Sequence, residues 1–290
     1  MTTQTTAAAS GRFVLGGDLP VNRLGFGAMR LAAGTFDGPA RDPGTGVAVL
    51  RQAIEAGVDH IDTAGFYTRG GVRANDLIRT ALAPYPDGLV IATKVGPLPG
   101  PDGHPSGQAG PGQLRGLVTE DLRSLGLDRL DLVYLRVGGM SGPGGESVAD
   151  RFGALAELRE EGLIRHLGVS NVDGAQLDEA LRIAPVAAVQ NQYHVHHHDD
   201  TMPARCAELG IAYVPFFPLG GGFDPIEHAR LARVARRHDA TTAQVALAWL
   251  LAASPNMLAI PGTGSPAHLA ENIAAAGLRL DSDDLAELRA

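Results

Sequence analysis

The sequence predicts an α/β protein of the (β/α)8 TIM-barrel class, with an N-terminal β-hairpin before the barrel and extra C-terminal helices after it. Three observations predict it. From residue 24 onward, short apolar segments alternate with helix-period segments until eight strands have been laid down. No shift in composition marks a linker, and polar or ionisable side chains collect where the apolar segments end. Alternation of this kind implies parallel strands joined by right-handed crossovers. Eight units in 290 residues imply a closed barrel rather than an open sheet.

Each element has its own signal. Residues 1–11, rich in Thr and Ala, read as a disordered tail, and residues 12–290 as one domain. Residues 13–21 form a hairpin around Gly16-Gly17, and 23–29 a glycine-containing strand that a backbone or ligand can approach closely. After a Gly/Pro-rich loop over 32–45, Val47, Leu50, Ala53 and Ile54 recur at helical spacing until Gly57 stops them. Strands follow at 58–62, 88–94, 130–135, 165–170, 186–190, 211–216 and 257–260. Between and after them lie helices at 71–83, 113–126, 147–162, 173–182, 199–208, 225–238, 241–253, 266–275 and 281–289. Two Gly/Pro-rich stretches, 96–112 and 138–145, are expected as loops bordering a pocket.

Composition excludes several function classes. A net charge of −8 argues against a nucleic-acid surface. Cys206 is the sole cysteine, so neither an intrachain disulfide nor a cysteine-based metal site is available. No apolar run has the length of a membrane span, and the first residues lack the basic start of a signal peptide. A cytoplasmic enzyme with a small-molecule substrate is expected, with no nucleic acid, no membrane and no obligate protein partner.

Lys94 is the only lysine; the other 23 of the 24 basic residues are arginine. Arginine cannot replace lysine where a compact point charge is needed, so a solitary lysine at a strand end marks chemistry. A barrel's active site lies at the C-terminal ends of its strands. Those ends carry Ala28/Met29, Asp62, Lys94, Arg136, Ser170/Asn171, Gln190, Phe216 and Gly262. Asp62 also opens a loop that presents Tyr67 five residues later. A free phenol, pKa about 10, is a sluggish acid at neutral pH, and a neighbouring ammonium fixed by a carboxylate stabilises its anion.

In these motifs the chain resembles the aldo-keto reductases over essentially its whole length after the tail. The segment His60-Ile-Asp62-Thr-Ala-Gly-Phe-Tyr67 matches that family's acid and phenol, and Ala92-Thr-Lys94-Val-Gly its lysine. The resemblance implies catalytic roles for Asp62, Tyr67 and Lys94, and a nicotinamide cofactor. Met29 and Asp62 would lie beside it, Ser170, Asn171 and Gln190 would hold the carboxamide, and Phe216 would stack on the ring. Phe217, Leu219 and Gly220 would wrap the pyrophosphate. Gly262, Thr263, Gly264, Ser265, His268, Glu271 and Asn272 would take the adenosine end. The cofactor implied is NADP(H), with NAD(H) as the alternative.

Departures from the family pattern carry information. Arg136 stands where a histidine is usual; a guanidinium keeps donors that polarise a carbonyl but exchanges no proton, which leaves Tyr67 as the proton donor. Phe216 replaces a stacking tyrosine, keeping the aromatic face. Gly262 stands where some relatives carry lysine, which weakens the grip on a 2′-phosphate. Several segments, including Leu135-Arg136, Gln190-Asn-Gln-Tyr-His and Tyr213-Val-Pro-Phe-Phe-Pro-Leu-Gly220, are similar to those of bacterial pyridoxal reductases. That similarity implies an aldehyde substrate, pyridoxal, reduced to pyridoxine. A general aldehyde or ketone reductase of another metabolite and a nicotinamide-binding sensor with little turnover remain open. The run His194-Val-His196-His197-His198-Asp199-Asp200 has metal-ligand chemistry, yet a helix start at Asp199 or Asp200 on a solvated loop is the plainer reading. No metal is expected.

Overall fold

The computed structural model describes residues 5–35, 38–100, 105–139, 142–224, 226 and 228–289. Outside them lie residues 1–4 of the expected tail, 36–37 of the first Gly/Pro-rich loop, and 101–104 and 140–141 of the two loops expected beside the pocket. Residues 225 and 227, placed at the start of a helix by the sequence, and Ala290 also lie outside.

The hairpin comes first. Strand β1 (Arg12–Leu15) pairs antiparallel with β2 (Leu19–Asn22), turning at Gly16 and Gly17 with φ of 63° and 88°, values that favour glycine. Barrel strands follow as β3 (Phe26–Gly27) and β4 (His60–Asp62). A small antiparallel pair, β5 (Thr68–Arg69) and β6 (Val72–Arg73), projects from the loop after β4. Next come β7 (Val90–Val95), then a second projecting pair, β8 (Pro97–Pro99) and β9 (Pro105–Gln108). The barrel continues through β10 (Leu130–Arg136), β11 (Ile164–Ser170), β12 (Val186–Gln190) and β13 (Ala212–Tyr213).

Seven of these strands pair in parallel, in the order β13-β12-β11-β10-β7-β4-β3. The eighth segment, around residues 257–260, joins them through single bridges, Tyr213 with Met257 on one side and Leu24 with Ala259 on the other. Leu258 N donates to Tyr213 O and Gly25 N to Ala259 O, both at 2.9 Å. These bonds close the barrel that strand–helix alternation predicts. Helix starts are built locally: Asp42 caps Pro43–Glu55, and reciprocal capping boxes open Gly174–Ile183 and Thr242–Ala253.

Two apolar cores result. One fills the barrel, where Leu15, Leu19 and Val21 of the hairpin pack beneath Val90, Leu132 and Leu258 and seal the end opposite the site. The other lies between strands and helices. Asn22 N donates to Asp59 Oδ1 at 2.8 Å, tying the hairpin to the β4 edge.

Two expectations need correction. Residues 5–11 do not form a loose tail: a 3-10 turn, Ala7–Ser10, buries Ala7 and Ser10, and Ala7 N donates to Ala56 O at 2.9 Å. Small Ala and Ser side chains let the segment lie flat against the barrel's underside. The stretch 96–112 is not all loop, because β8 and β9 pair within it. Proline is tolerated there since each strand has a free edge.

Candidate active site

The loop after β4 and the end of β7 bring the central residues together. Asp62 and Lys94, only 4% and 3% exposed, form an ion pair through Lys94 Nζ and Asp62 Oδ1. Lys94 Nζ also donates to Thr63 O at 3.0 Å, and its charge acts on the neighbouring Tyr67 phenol. Its position 4.9 Å from the Tyr67 ring centroid adds a cation–π contact. On the far side of the carboxylate, Gln190 Nε2 donates to Asp62 Oδ2 at 2.7 Å. Asp62 is thus held from both sides, and the ammonium is held against the phenol.

The electrostatics correct one expectation. Burial pulls the Lys94 pKa down, but the Asp62 carboxylate and the Tyr67 phenol more than reverse it, so the ammonium stays charged. For Tyr67, burial raises the phenol pKa and outweighs the lowering by Lys94, so the net direction is upward. The sequence reading stressed the ammonium's stabilisation of the phenolate; in the protein the desolvation of that anion is the larger effect. At neutral pH Tyr67 therefore keeps its proton, the state a donor requires.

A polar network props this loop from behind. Thr63 Oγ1 donates to Asn75 Oδ1 at 2.8 Å, Asn75 Nδ2 to Asp121 Oδ1 at 3.0 Å, and Thr93 Oγ1 to Asp121 Oδ2 at 2.6 Å. Burial pushes the Asp121 carboxyl up to about 6. Gly65 is needed beside it, since a Cβ there would lie 2.4 Å from Asp121 Oδ1. Below Asp62 the Tyr134 ring fills the barrel, with Gly168 leaving room for it: a Cβ on Gly168 would sit 2.6 Å from Tyr134 Cδ1.

Arg136 closes β10. Its Nη1 donates to Ser170 Oγ at 3.3 Å and its Nη2 to Gly139 O at 2.9 Å. The guanidinium lies 4.6 Å from the Phe216 ring centroid. Burial lowers its pKa to about 10, which leaves it cationic at neutral pH.

These groups face one cleft. A chamber of about 360 Å³ is lined by Tyr67, Lys94, Arg136, Gln190 and Phe216 together with Met29 and Phe217. An extension of about 220 Å³ shares Met29, Arg30, Tyr67, Phe216 and Phe217, contains Asp62, and runs to Leu219, Gly221 and Gly262. Of the residues expected to hold a cofactor, Met29, Asp62, Gln190, Phe216, Phe217, Leu219 and Gly262 therefore share one wall system. Others are placed differently. Asn171 Nδ2 donates to Val137 O at 3.0 Å, with Asn171 at a positive φ of 61°. Gly220 lies in a 3-10 turn at φ 72°, and Phe217, at φ 55°, holds a conformation uncommon for a bulky residue. Thr263 Oγ1 accepts from Ser265 N at 3.0 Å, and Ser265 caps the helix Pro266–Ala274, on which His268 is exposed and Asn272 buried. Glu271 is turned away to accept from the Thr241 hydroxyl.

Gly262 has a structural reason. A Cβ there would lie 2.4 Å from Gly27 O, so the backbone of the first strand forbids a side chain at that point. Sequence reasoning passed over Arg30 and Arg69, both lining the chamber, because neither falls at a strand end. The histidine tract folds into a tight turn, with His194 and His197 exchanging backbone bonds at 2.9 and 2.8 Å. Among the described residues, no three His, Cys, Asp or Glu side chains come together to hold a metal ion. Asp199 Oδ1 accepts from Thr201 N at 2.9 Å, at the start of the helix Thr201–Glu208.

Known proteins match both sequence and fold. Residues 23–290 match the model of the aldo/keto reductase family. Pyridoxine 4-dehydrogenase of Escherichia coli (strain K12) is 48% identical over 283 residues, 97% of this chain and 98% of that protein. An uncharacterised oxidoreductase of Schizosaccharomyces pombe is 40% identical over 94% of this chain and 87% of its own length. Among solved structures, an aldo-keto reductase from Klebsiella pneumoniae in complex with NADPH superposes with a TM-score of 0.78 at 26% identity, covering 99% of this chain and 94% of that one. With the family model spanning nearly the whole chain and the Asp62, Tyr67, Lys94 cluster at the mouth of a closed barrel, this protein belongs to the aldo/keto reductase family.

Proposed function

We propose that the protein reduces an aldehyde with NADPH, that the aldehyde is pyridoxal, and that Tyr67 donates the proton. The observation that carries this reading is the Lys94 ammonium, held by Asp62 beside the Tyr67 phenol in the chamber wall. The cofactor fits the residues present. Gln190 Oε1 is buried without a hydrogen-bond partner while its Nε2 is committed to Asp62, so an acceptor waits at the chamber wall for a donor such as a carboxamide NH2. When bound, the dinucleotide supplies the hydride. The residues of the chain do the rest: Phe216 offers an aromatic face, Gln190 its orphan carbonyl, and Tyr67 the proton that turns the reduced carbonyl oxygen into a hydroxyl.

Substrate selection follows from the walls. Among the described residues, Arg30, Arg69, Lys94 and Arg136 line the chamber and no carboxylate does. A carbonyl compound bearing an anionic oxygen next to its aldehyde suits such a wall, with the Arg136 guanidinium as its fixed partner. Pyridoxal has that oxygen, and the 48% identical relative is a pyridoxine 4-dehydrogenase. NADPH consumption on addition of pyridoxal tests the proposal, alongside a panel of uncharged aldehydes and sugar aldehydes. Pyridoxal should give the highest kcat/KM. An enzyme inert towards pyridoxal but active on a sugar aldehyde would refute the substrate and leave the proton chemistry standing.

A further inference from the structure

Two arginines at the edge of the cleft lie side by side, and among the described residues neither has a carboxylate partner. Arg30 donates through Nη2 to Gly221 O, on the turn that follows Phe217 and Leu219. Arg41 donates through Nη1 to Gly264 O at 3.4 Å, and its buried Nε has no hydrogen-bond partner. Arg41 is seated closely: a Cβ on Gly264 would come within 2.7 Å of Arg41 Cδ and Nε, and one on Gly34 within 3.0 Å of its Nη2. Gly34 itself lines the cleft extension. The two cations feel each other, since burial first and then the charge of Arg41 lower the Arg30 pKa. The nearest carboxylate in sequence, Asp42, is engaged by Thr45 N and Oγ1, both at 2.8 Å. Partly buried like charges, whose hydrogen bonds among the described residues go to backbone carbonyls, cost free energy unless an anion completes them.

Position says which anion. Arg30 reaches the turn at 220–222, while Arg41 lies across the turn at 262–265 that leads into the helix Pro266–Ala274. Gly262 can carry no side chain because Gly27 O stands 2.4 Å from its Cβ position. A cation at position 262 itself is therefore excluded, and Arg41 brings one to the neighbouring turn from the loop after the first strand. We infer that Arg41 is the specificity-determining residue for the 2′-phosphate of NADP(H), supplying from the loop after the first strand the charge that position 262 cannot. A dianionic phosphate would take the unpartnered Nε together with Nη2, the two donors that share one edge of the guanidinium, while Nη1 stays on Gly264 O. This inference rests on the cofactor reading above.

The test is equilibrium binding of NADPH and NADH, by fluorescence titration of the purified protein without any carbonyl substrate. Arg41→Ala and Arg41→Gln should each weaken NADPH about 10- to 100-fold, the loss of charge-assisted bonds to a phosphate. NADH should stay within about twofold, because it lacks that phosphate, and Arg41→Lys should recover part of the loss. Equal losses for both dinucleotides, or no loss for NADPH, would overturn the inference and leave the cofactor reading intact. A wild-type protein that binds neither dinucleotide would overturn both. Arg41→Gln keeps most of the side-chain volume, so its agreement with Arg41→Ala excludes a packing defect as the cause.

Discussion

Tyr67→Phe is expected to lower kcat for aldehyde reduction by about 10²- to 10⁴-fold, the usual worth of a positioned general acid. Binding of NADPH should change less than about threefold, since the ring remains and only the hydroxyl is lost. The expectation is sharp because, among the described residues lining the chamber, no second neutral proton donor stands beside Tyr67. Arg136, at the strand end where a histidine would offer one, is a guanidinium whose pKa, lowered to about 10, still lies far above neutrality. Lys94 is held charged by Asp62 and faces the phenol. Steady-state turnover paired with a NADPH titration checks this; a variant with near-normal kcat would remove Tyr67 from the proposed role.

The largest effect on stability belongs to the ion pair. Lys94→Met removes the ammonium and leaves the Asp62 carboxylate inside the barrel, 4% exposed, with Gln190 Nε2 as its remaining side-chain donor. Breaking a buried pair by deleting one partner costs about 3–5 kcal/mol, and chemical denaturation at neutral pH should show a loss of that order. Removing both charges, as Asp62→Asn with Lys94→Met, should recover much of the stability and none of the activity, because the desolvation cost disappears together with the phenol's partner. The sign with pH is fixed by Lys94. Its folded pKa is raised above the unfolded value, so its contribution is complete at neutral pH and is lost only as pH climbs through the folded pKa. Equal stability of wild type and Lys94→Met at neutral pH would contradict the pairing.

Much of this was legible in the amino-acid order because it rests on local pattern. Helix period against short apolar runs places eight staves, and Asp62, Lys94, Arg136 and Gln190 sit at strand ends whatever the long-range packing. What was not legible depends on contacts between distant segments. Asp121 carries no local signal that sets it apart, yet it is 1% exposed and bonded to Thr93 and Asn75 behind the loop that bears Tyr67. Arg41 lies in a Gly/Pro-rich stretch with no periodic signal, and its neighbour Gly264 is 223 residues away. The projecting pairs β5/β6 and β8/β9 are short and rich in Gly, Pro and Arg, so neither offers the alternation that marks a strand. For the phenol, residue type gave the ammonium's influence but not the desolvation of its anion that outweighs it.

The pH dependence of kcat/KM for the carbonyl, measured in both directions, tests the proton chemistry most directly. Burial raises the Tyr67 pKa above its ordinary value of 10.0, so reduction should hold level from about pH 6 to 9 and fall only on the alkaline side. Oxidation of the alcohol should rise over that same alkaline limb, and the limb should vanish in Tyr67→Phe. A limb centred near the histidine value of about 6.5, or an alkaline limb that survives Tyr67→Phe, would contradict the assignment of Tyr67 as the proton donor.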